Sequence, residues 1–564
     1  MHRFLRRALL GALSGLLASP ILSLTVGRDT GPVPALLLAV VVAGALALPR
    51  RPAGRPRPEL LMEVAALGVP LWALVDVVAV PLLAGDPPRW TAAAMRDAFP
   101  ALAGWMLFQA AVGLLLHLAD DLVTRWIAPE FVPVPPPRPR AQRIVILGGG
   151  FAGVSSAEHL EHRFGASAEV ELTLVSETNA MLFTPMLAEV AASSLEAAHI
   201  TSPLRTGLKR TEVVRGRVVG VDLDRKIVSV QMAVGEQRQL AYDQVVFALG
   251  AVSNYLGMAG VERHAFDFKS IADAIAIRNH VIDCFERADG EQDPVERRRL
   301  VTFVVAGGGF AGAELAGGLN DFTRGMLAFY PNVPRDELQV LLVHGGERIL
   351  NELSEPLALH AQQRMTERGV TFRLKTRLKD ATADRVVLSD GEVATRTVVW
   401  TAGTAPNPLL RALGVEVDKR GAVLTDATMR VKGRTDEWAL GDAASIPNAA
   451  TGKTCPPTAQ FAIREAAQLA RNLQATVRGG ALRPFRFAPL GALCVVGHHT
   501  ACAEIKGLRF SGLLAWVMWR GIYLSKLPSL ERKVRVVVDW TIELFFPRDI
   551  VQTIELAPRT GSNR

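Results

Sequence analysis

Cysteine is scarce in this sequence, which has four in 564 residues. They are Cys284, Cys455, Cys494 and Cys502, and none stands at the C-x-x-C spacing of a metal or redox motif. This scarcity argues against a disulfide framework and gives no indication of a structural zinc or other metal site. Cys494 and Cys502 lie in an apolar stretch, so we predict that they are buried thiols and not a redox pair.

Aromatic residues are also few, at 6% of the chain, and no nucleic-acid motif accompanies them. The formal net charge is +8, a basic balance that by itself would suggest nucleic acid as a partner. The arginines, however, cluster beside apolar segments, which is typical of the flanks of membrane spans. The composition therefore argues against a nucleic-acid partner and favours contact with a lipid bilayer.

The chain has an excess of apolar sequence near its N-terminus. Apolar residues make up 49% of the whole chain. Four apolar segments, each near the roughly 20 residues that cross a bilayer core, lie at about 8–26, 33–49, 60–84 and 101–119. We predict that residues 1–128 form an all-α transmembrane bundle of about four spans. The first segment would also suit a signal peptide, but no clear cleavage site follows it, so we favour a retained anchor.

The loop arginines predict the orientation of this bundle. Three arginines lie in the first seven residues, and four more lie in the loop at 50–57. The positive-inside rule places both regions in the cytoplasm. Four spans then return the chain to the cytoplasm near residue 125. We therefore expect a multi-pass protein of the inner (cytoplasmic) membrane, with its remaining domains facing the cytoplasm.

Glu63, Asp76 and His117 are polar residues within these apolar segments. Ionisable residues inside a membrane are functional candidates by default. We favour the simpler explanation that Glu63 sits near a helix end and that Asp76 pairs within the bundle. The sequence assigns no role to His117.

A glycine-rich motif follows a predicted strand at residues 143–160. Gly148, Gly150 and Gly153 have G-x-G-x-x-G spacing, and a helix pattern begins directly after them. The first glycine makes a tight turn, the second lets backbone approach a pyrophosphate, and the third lets the helix pack close to the strand. The next strand, EVELTLVSE, ends at Glu177, where a carboxylate can bind a ribose hydroxyl. This order of elements predicts a dinucleotide site.

The same motif recurs at Gly307, Gly309 and Gly312, and both copies contain the string GGGFAG. The following strand, LQVLLVH, ends at His344, and a closing strand leads into TAGT, which contains Gly403. Two such units in one chain indicate two dinucleotides, or a flavin together with a nicotinamide. We therefore predict that the second unit forms a domain inserted into the first.

The run TDEWALGDAASIP brings Gly441 and Asp442 to the carboxyl end of another predicted strand. Ligands of open parallel sheets bind at that edge, so Asp442 is a candidate to hold a polyol hydroxyl of a flavin side chain. The alternative is that Asp442 is an N-cap, with a helix beginning directly after it. The two roles are compatible.

Two apolar stretches near the C-terminus carry both tryptophan and basic residues. They are FSGLLAWVMWRGIYL and RKVRVVVDWTIELFF. Basic residues interrupt both stretches, so neither is predicted to cross a bilayer. Tryptophan and arginine on an apolar helix suit the plane of a membrane surface. The alternative is that these stretches form a homodimer interface or a core contact.

From these motifs, residues 143–550 resemble the type II NADH dehydrogenases, the non-proton-pumping members of the two-dinucleotide-domain flavoproteins. RIVILGGGFAG resembles the family's FAD motif and VVAGGGFAGAELAGGL its NADH motif. By this resemblance, Glu314 matches an acidic residue near the flavin and the quinone. TAQFAIREA is similar to the quinone motif, which would place Ala459 and Gln460 at the quinone head group.

Three features depart from the family pattern. His344 stands where the family usually has an acid, which would weaken the grip on the ribose 2′-hydroxyl and remove repulsion of a 2′-phosphate. NADPH is therefore an open alternative to NADH. Arg464 replaces the second glutamine of the quinone motif. The N-terminal bundle lies outside the ordinary family pattern.

The motifs and the resemblance together predict the fold class and the domain boundaries. The fold class is α/β, with two Rossmann-type dinucleotide-binding domains, an all-α transmembrane bundle and C-terminal amphipathic membrane-docking helices. The predicted boundaries are 1–128 for the bundle, 129–142 for a proline-rich linker, 143–268 and 420–484 for the FAD-binding domain, 269–419 for the NAD(P)H-binding domain, and 485–564 for the docking region.

The resemblance implies an FAD-dependent NAD(P)H:quinone oxidoreductase of a respiratory chain, which passes hydride to FAD and electrons to the membrane quinone pool without pumping protons. Two alternatives stay open. A sulfide:quinone or disulfide-type flavoprotein reductase would need reactive cysteines beside the flavin, and none lies between the first glycine motif and Cys284. A membrane sensor with a non-catalytic flavin domain would carry a flavin that NADH does not bleach.

Overall fold

The computed structural model divides the chain into two compact units, Met1–Arg138 and Pro139–Arg564. In the second unit it describes residues 141–552 except 166 and 234. In the first unit it describes residues 13–14, 16–18, 20, 65, 68–79, 81–82, 85–86, 88, 101–115 and 118.

The described part of the first unit is helical. An α-helix at Gly68–Trp72 continues as a π-helix at Ala73–Ala79. Asp76 accepts a hydrogen bond from the Trp105 indole N–H, with 2.5 Å between donor and acceptor. Asp76 therefore pairs within its own unit, as the simpler explanation predicted.

Most of the four predicted spans lies outside the described residues. The segment at 33–49 lies there entirely, as do Glu63 and His117. Among the residues that the structure describes, no helix is long and apolar enough to cross a membrane.

Parallel and antiparallel strands form the sheets of the second unit. The strands are β1 Gln142–Leu147, β2 Val170–Ser176, β3 Ala180–Leu182, β4 Thr201–Pro203, β5 Thr211–Asp222, β6 Ile227–Met232, β7 Gln237–Ala241, β8 Gln244–Phe247, β9 Ala251–Ser253, β10 Phe266–Asp267, β11 Thr302–Ala306, β12 Gln339–Val343, β13 Val370–Arg373, β14 Leu378–Ala381, β15 Arg385–Leu388, β16 Gly391–Ala394, β17 Thr397–Trp400, β18 Thr404–Pro406, β19 Val423–Leu424, β20 Glu437–Ala439, β21 Ala444–Ser445, β22 Gly491–Gly497, β23 Thr500–Ile505 and β24 Leu508–Ser511.

Helices connect these strands and cover the sheets. The α-helices of this unit are α1 Phe151–Phe164, α2 Leu187–Ala191, α3 Leu204–Gly207, α4 Ala259–His264, α5 Ile271–Gly290, α6 Pro294–Leu300, α7 Phe310–Met326, α8 Glu355–Glu367, α9 Ala459–Arg478, α10 Gly512–Lys526 and α11 Leu530–Glu543.

The larger sheet has the order β20-β8-β1-β2-β5-β6-β7. Its strands β20, β8, β1, β2 and β5 are parallel, and β6 and β7 add an antiparallel hairpin. Side chains of β1 alternate between two cores: Ile144 and Ile146 pack on one side, and Val145 and Leu147 on the other. Burial on both faces explains why β1 reads as a continuous apolar run.

The smaller sheet is formed by chain segments that lie between β8 and β20 in sequence. Its order is β10-β17-β11-β12-β13, and all its strands are parallel. The second glycine motif follows β11, just as the first follows β1. The chain thus leaves the larger sheet, builds a second sheet of the same kind, and then returns to complete the first with β20.

The C-terminal region contains an antiparallel sheet, β22-β23-β24, followed by α10 and α11. Trp516, Trp519 and Trp540 on these helices are at most 9% exposed. The prediction that these tryptophans lie in the plane of a membrane surface is therefore wrong, because they pack into the protein core. The alternative of a core contact is correct for them.

The helix α5 begins with reciprocal hydrogen bonds that satisfy its first backbone N–H groups. The Asp273 amide donates to the Ser270 hydroxyl oxygen, and the Ser270 amide donates to the Asp273 carboxylate. The Lys269 amide donates to the same carboxylate. This cap therefore also holds the segment that leads from β10 into α5.

We predict that Ser270→Ala destabilises the first turn of α5 by about 1 kcal/mol, because one N–H loses its acceptor. Amide hydrogen exchange in that turn should become about fivefold faster. Ser270→Gly is the control, since glycine at an N-cap costs only a few tenths of a kcal/mol. Equal exchange rates in the two variants would show that the cap does not limit local opening.

Candidate functional site

The first glycine motif forms a turn between β1 and α1 that leaves no space for side chains at two of its glycines. Gly148 has φ +119°, and a Cβ there would overlap the Ala248 carbonyl oxygen. A Cβ on Gly153 would overlap the Gly148 carbonyl oxygen. These two positions therefore require glycine, and the contact at Gly153 brings α1 directly against the turn.

Gly150, between them, faces open space. A Cβ at this position would have no described heavy atom within 4 Å. Gly150 is the N-cap of α1, and no side chain of the described residues caps that helix. The N–H groups of the first turn and the helix dipole are thus available to an anion, which is the environment that a pyrophosphate requires. The residues present fit a dinucleotide.

Two carboxylates lie at the same edge of the larger sheet. Glu177 directly follows β2, is exposed, and lies 3.9 Å from the Arg217 guanidinium. Asp442 follows β20 and lies in a 3-10 turn at Gly441–Ala443. Because β1, β2 and β20 are parallel, their carboxyl ends share one edge with the glycine turn.

Asp442 does not begin the following helix. That expectation was wrong, since α9 starts at Ala459 and its N-cap is Thr458, whose hydroxyl accepts from the Phe461 amide. Burial raises the pKa of the Asp442 carboxyl, and the nearby Lys269 opposes that shift. Asp442 thus stays a candidate ligand residue at the sheet edge, with the half-buried Lys269 as its electrostatic partner.

Glu465 is a site residue that the sequence analysis missed. It is buried, and its carboxylate accepts a hydrogen bond of 2.8 Å from the Gly441 amide. Burial raises its pKa to about 7. The available signal was its place on the apolar stripe of α9, between Phe461 and Leu469, where an acid is out of pattern.

The second glycine motif repeats the first in geometry. Gly307 has φ +123°, and Gly312 has no space for a Cβ beside the Gly307 carbonyl oxygen. Gly309 is the N-cap of α7, and the nearest described atom to a Cβ there would be a Glu352 carboxylate oxygen at 3.7 Å. The chain therefore has a second uncapped helix N-terminus that fits a pyrophosphate.

His344 lies beside this second turn, at the end of β12. The Gly308 amide donates to its Nδ1 at 3.1 Å, and burial lowers the pKa of the imidazole. A neutral ring that accepts at Nδ1 carries its proton on Nε2. That Nε2 atom is buried and has no hydrogen-bond partner among the described residues. The residue thus offers a donor where a carboxylate would offer an acceptor.

The predicted residue Gly403 and the nearby Arg348 have mainly structural contacts. Gly403 lies between β17 and β18, where a Cβ would come within 2.6 Å of the Asn254 carbonyl oxygen. Arg348, next to the second turn, donates to the backbone carbonyl oxygens of Leu350 and Leu353. It is therefore held by its own loop.

Gln460 and Glu314 both contact the backbone of β22. The Gln460 amide donates to the Gly491 carbonyl oxygen at 3.4 Å and accepts from the Leu490 amide at 3.3 Å. Glu314 accepts from the Val495 amide at 3.3 Å. Four residues of extended strand place these contacts roughly 13 Å apart. Ala459, the first residue of α9, is half-buried beside Gln460.

Glu314 is a half-buried residue of α7. Burial raises the pKa of its carboxyl to about 8.

A chain of three aromatic rings lies between α1 and α10. Phe183 contacts Phe151 of α1 on one side and Tyr523 of α10 on the other, with centroid separations of 5.7 and 6.1 Å. This chain connects the start of α1, beside the first glycine turn, with the C-terminal helices.

The four cysteines are free, and three of them are buried, as predicted for Cys494 and Cys502. Those two residues face each other across the β22–β23 pair. Burial raises the pKa of all four thiols. None of them is therefore poised as a thiolate nucleophile.

Residues 142–466 match the pyridine nucleotide-disulphide oxidoreductase family, and residues 490–549 match the NDH2 C-terminal domain. A probable NADH dehydrogenase of Dictyostelium discoideum is 30% identical over 72% of this chain and 91% of its own length. A type II NADH:quinone oxidoreductase of Mycobacterium tuberculosis is 28% identical over 75% and 92%.

The fold is shared with solved structures. NDH2 from Plasmodium falciparum in complex with NADH superposes with a TM-score of 0.69 at 18% identity, over 73% of this chain and 100% of that one. The sulfide:quinone oxidoreductase of Aquifex aeolicus gives a TM-score of 0.55 at 17% identity, over 72% and 96%. The family match covers both glycine motifs, and the second match covers β22 to α11, so the chain belongs to the pyridine nucleotide-disulphide oxidoreductases and, among these, to the type II NADH dehydrogenases.

Proposed function

We propose that this protein is an FAD-dependent NAD(P)H:quinone oxidoreductase that does not pump protons. The observation that carries the proposal is the pair of uncapped helix N-termini, at Gly150 and Gly309, on two separate parallel sheets. One of them suits the pyrophosphate of FAD and the other that of the nicotinamide cofactor. The printed names of the relatives, NADH dehydrogenase and NADH:quinone oxidoreductase, support the same reaction.

The residues of each turn would hold one cofactor and orient its reacting end. The N–H groups after Gly150 would bind the FAD pyrophosphate, Glu177 a ribose hydroxyl, and Asp442 a hydroxyl of the flavin side chain. The turn at Gly309 would hold the nicotinamide cofactor with His344 at its ribose. FAD, when bound, supplies the capacity to accept a hydride and release electrons singly or in pairs.

The quinone side of the site would be formed by α9, β22 and the C-terminal helices. Gln460 presents its amide at the start of β22, and Glu314 presents its carboxyl further along the strand. Glu314 is protonated at neutral pH if its pKa is near 8, so it can donate a proton to a reduced quinone oxygen.

The two alternative functions find less support. A sulfide:quinone or disulfide reductase needs an ionised thiol, whereas burial raises the pKa of every cysteine here. A sensor with a non-catalytic flavin would have no use for a second nucleotide turn. If purified protein with stoichiometric flavin were not bleached by NADH, the enzyme proposal would fail in favour of the sensor.

We place the enzyme at a membrane, through its C-terminal helices. The exposed side of α10 and α11 carries Leu513, Leu514, Val517, Val537 and Ile542, each more than 40% exposed. Such a surface favours the interface of a lipid bilayer, where a quinone would be delivered. We also retain the proposal that the N-terminal apolar segments anchor the chain with its catalytic unit in the cytoplasm.

The two glycine turns should fail separately. Gly150→Val should give colourless protein, because its side chain would fill the space for the FAD pyrophosphate. Gly309→Val should remain yellow but should not be reduced by NADH, since its side chain blocks the second turn. Flavin absorbance and anaerobic NADH titration measure both effects. Equal flavin loss in two folded variants would refute the assignment of the sites.

Gln460→Ala should lower quinone turnover about two- to tenfold, as expected for one lost neutral hydrogen bond of about 0.5–1.5 kcal/mol. Stopped-flow reduction of the flavin by NADH should stay near normal. Gln468→Ala, two turns further along α9, is the matched control and should leave both rates unchanged. A parallel fall of both rates in Gln460→Ala would show that Gln460 does not face the quinone.

The neutral His344 ring predicts weak discrimination between NADH and NADPH. His344→Glu should add an acceptor for the ribose 2′-hydroxyl and repel a 2′-phosphate. One hydrogen bond to a charged group contributes roughly 1.5–3 kcal/mol, so the ratio of kcat/KM values should move toward NADH by about tenfold or more. Strong NADH selectivity in the unmodified protein, unchanged by the substitution, would show that His344 is not at the ribose.

A further inference from the structure

A group of charged side chains surrounds a small cavity between α2, α7, α10 and α11. The cavity has a volume of about 40 Å³, and its wall includes Glu189, Glu314, Val495, Trp519 and Arg520. A polar cavity needs roughly 10–15 Å³ to hold one water molecule. The space between the two glutamates can therefore accommodate water, which makes it suitable for proton movement.

Glu189 is the member of this group that the proposed reaction does not yet use. It lies on α2 with 14% of its side chain exposed. One carboxylate oxygen accepts from the Trp540 indole N–H at 3.3 Å, and the other lies 3.9 Å from the Arg520 guanidinium. Burial raises its pKa to about 7, against the opposing effect of Arg520. The residue can therefore exchange a proton near neutral pH.

Arg520 has a closer partner than Glu189. Its guanidinium donates to the Glu543 carboxylate at 3.0 Å and lies 3.8 Å from the ring centroid of Trp516. Arg548 donates to the other oxygen of Glu543 at 2.9 Å. Because Glu543 is held by two arginines, it stays ionised, and its pKa is lowered. Glu189 is thus free to gain and lose a proton without leaving Arg520 unpaired.

The cavity meets a histidine pair at the turn between β22 and β23. His498 and His499 have ring centroids 3.7 Å apart, and the His498 Nδ1 lies 4.0 Å from a Glu543 oxygen. Asp321 of α7 accepts from the His498 amide. His498 is half-buried and His499 is exposed, and desolvation lowers the pKa of each. Both rings are thus mainly neutral at neutral pH, and a neutral imidazole can take up a proton at one nitrogen and release one from the other. His498 lines the cavity, and His499 lies at the surface beside it.

The proposed reaction needs such a route. NADH, a proton and a quinone give NAD⁺ and a quinol, so the hydride supplies both electrons and one of the two hydrogens. The other hydrogen comes from water as a proton. Glu314 is half-buried and lines the cavity together with Glu189, so a proton can reach it from solvent through the charged groups of the cavity wall.

We propose that Glu189 receives this solvent proton from the His498–His499 turn and passes it, across the cavity, to Glu314 for delivery to the quinone. The inference rests on the proposed quinone reductase function. Glu189 does not contact the substrates and acts through Glu314, so it is a positioning and proton-carrying residue. No bond other than those to the proton changes, and the electrons come only from NADH.

The test uses the FAD-loaded, full-length protein and the variant Glu189→Gln, whose amide can still accept from Trp540. Flavin reduction by NADH in stopped flow should be unchanged. Steady-state quinone turnover should fall at least tenfold, and its solvent deuterium isotope effect should rise. Unmodified enzyme should lose turnover as pH rises through about 7, because the carrier is then ionised. Glu189→Gln should lack the decline near pH 7 and keep only the one at about pH 8, where Glu314 ionises.

A readout independent of turnover comes from infrared spectroscopy. The carbonyl intensity of protonated carboxylic acids that titrates near neutral pH in the unmodified holoenzyme should lose one component in Glu189→Gln, while the components of Glu314 and Glu465 remain. Glu196→Gln is the matched control, since Glu196 is exposed and lies on the same chain segment. It should leave the band, the turnover and the isotope effect unchanged.

Three results would overturn the inference. The first is quinone turnover in Glu189→Gln with the rate, pH profile and isotope effect of the unmodified enzyme. The second is an unchanged carbonyl titration in that variant. The third concerns Glu189→Asp, which keeps the carboxyl. If this variant loses as much quinone turnover as Glu189→Gln, the residue acts through its shape alone. Failure of NADH to reduce the flavin in unmodified enzyme would instead refute the proposed function.

Discussion

The close approach of a helix to the turn before it is the constraint on which both nucleotide sites depend. In each copy the third glycine, Gly153 or Gly312, lies against the carbonyl oxygen of the first glycine, where any Cβ would overlap it. Only this contact brings the helix N-terminus to the carboxyl edge of the sheet. The second glycine can then face open space, with unpaired N–H groups directed at a phosphate.

The strand β22 extends this arrangement to the second half of the site. It belongs to the C-terminal region, yet its backbone binds Gln460 of α9 at one end and Glu314 of α7 further along. The strand β22 thereby holds one helix from each sheet, α9 from the larger sheet and α7 from the smaller one. The C-terminal region is thus a structural part of the candidate site.

Charges buried beneath α10 and α11 secure this third element. Arg520 packs against Trp516 and Trp540 while its charge is balanced by Glu543. Breaking one partner of such a group leaves an unpaired buried charge, which is far more destabilising than the pair is stabilising. The same burial raises the pKa of Glu189 and of Glu314 to about 7 and about 8. The packing that stabilises these helices therefore also creates carboxyl groups that titrate near physiological pH.

Local patterns in the sequence were sufficient for the two glycine turns, because their spacing, positive φ and small-residue requirement are properties of a few adjacent residues. The strand that leads to His344 was also predicted, but the unpaired Nε2 of that residue was not, since it depends on the contact of Nδ1 with Gly308 of the second glycine turn. The expectation of a helix directly after Asp442 was wrong because a 3-10 turn and an irregular segment separate Asp442 from Thr458, the N-cap of α9.

The sequence by itself therefore determined the two sheets, their nucleotide turns and the membership of the family. Tertiary structure alone decided which residues surround the candidate site. Trp519 and Trp540 look like membrane-surface residues in an apolar helix, and only the packing of α10 and α11 makes them core residues. Likewise, Glu189 and Glu314 are far apart in sequence, and their shared cavity exists only because four helices meet there.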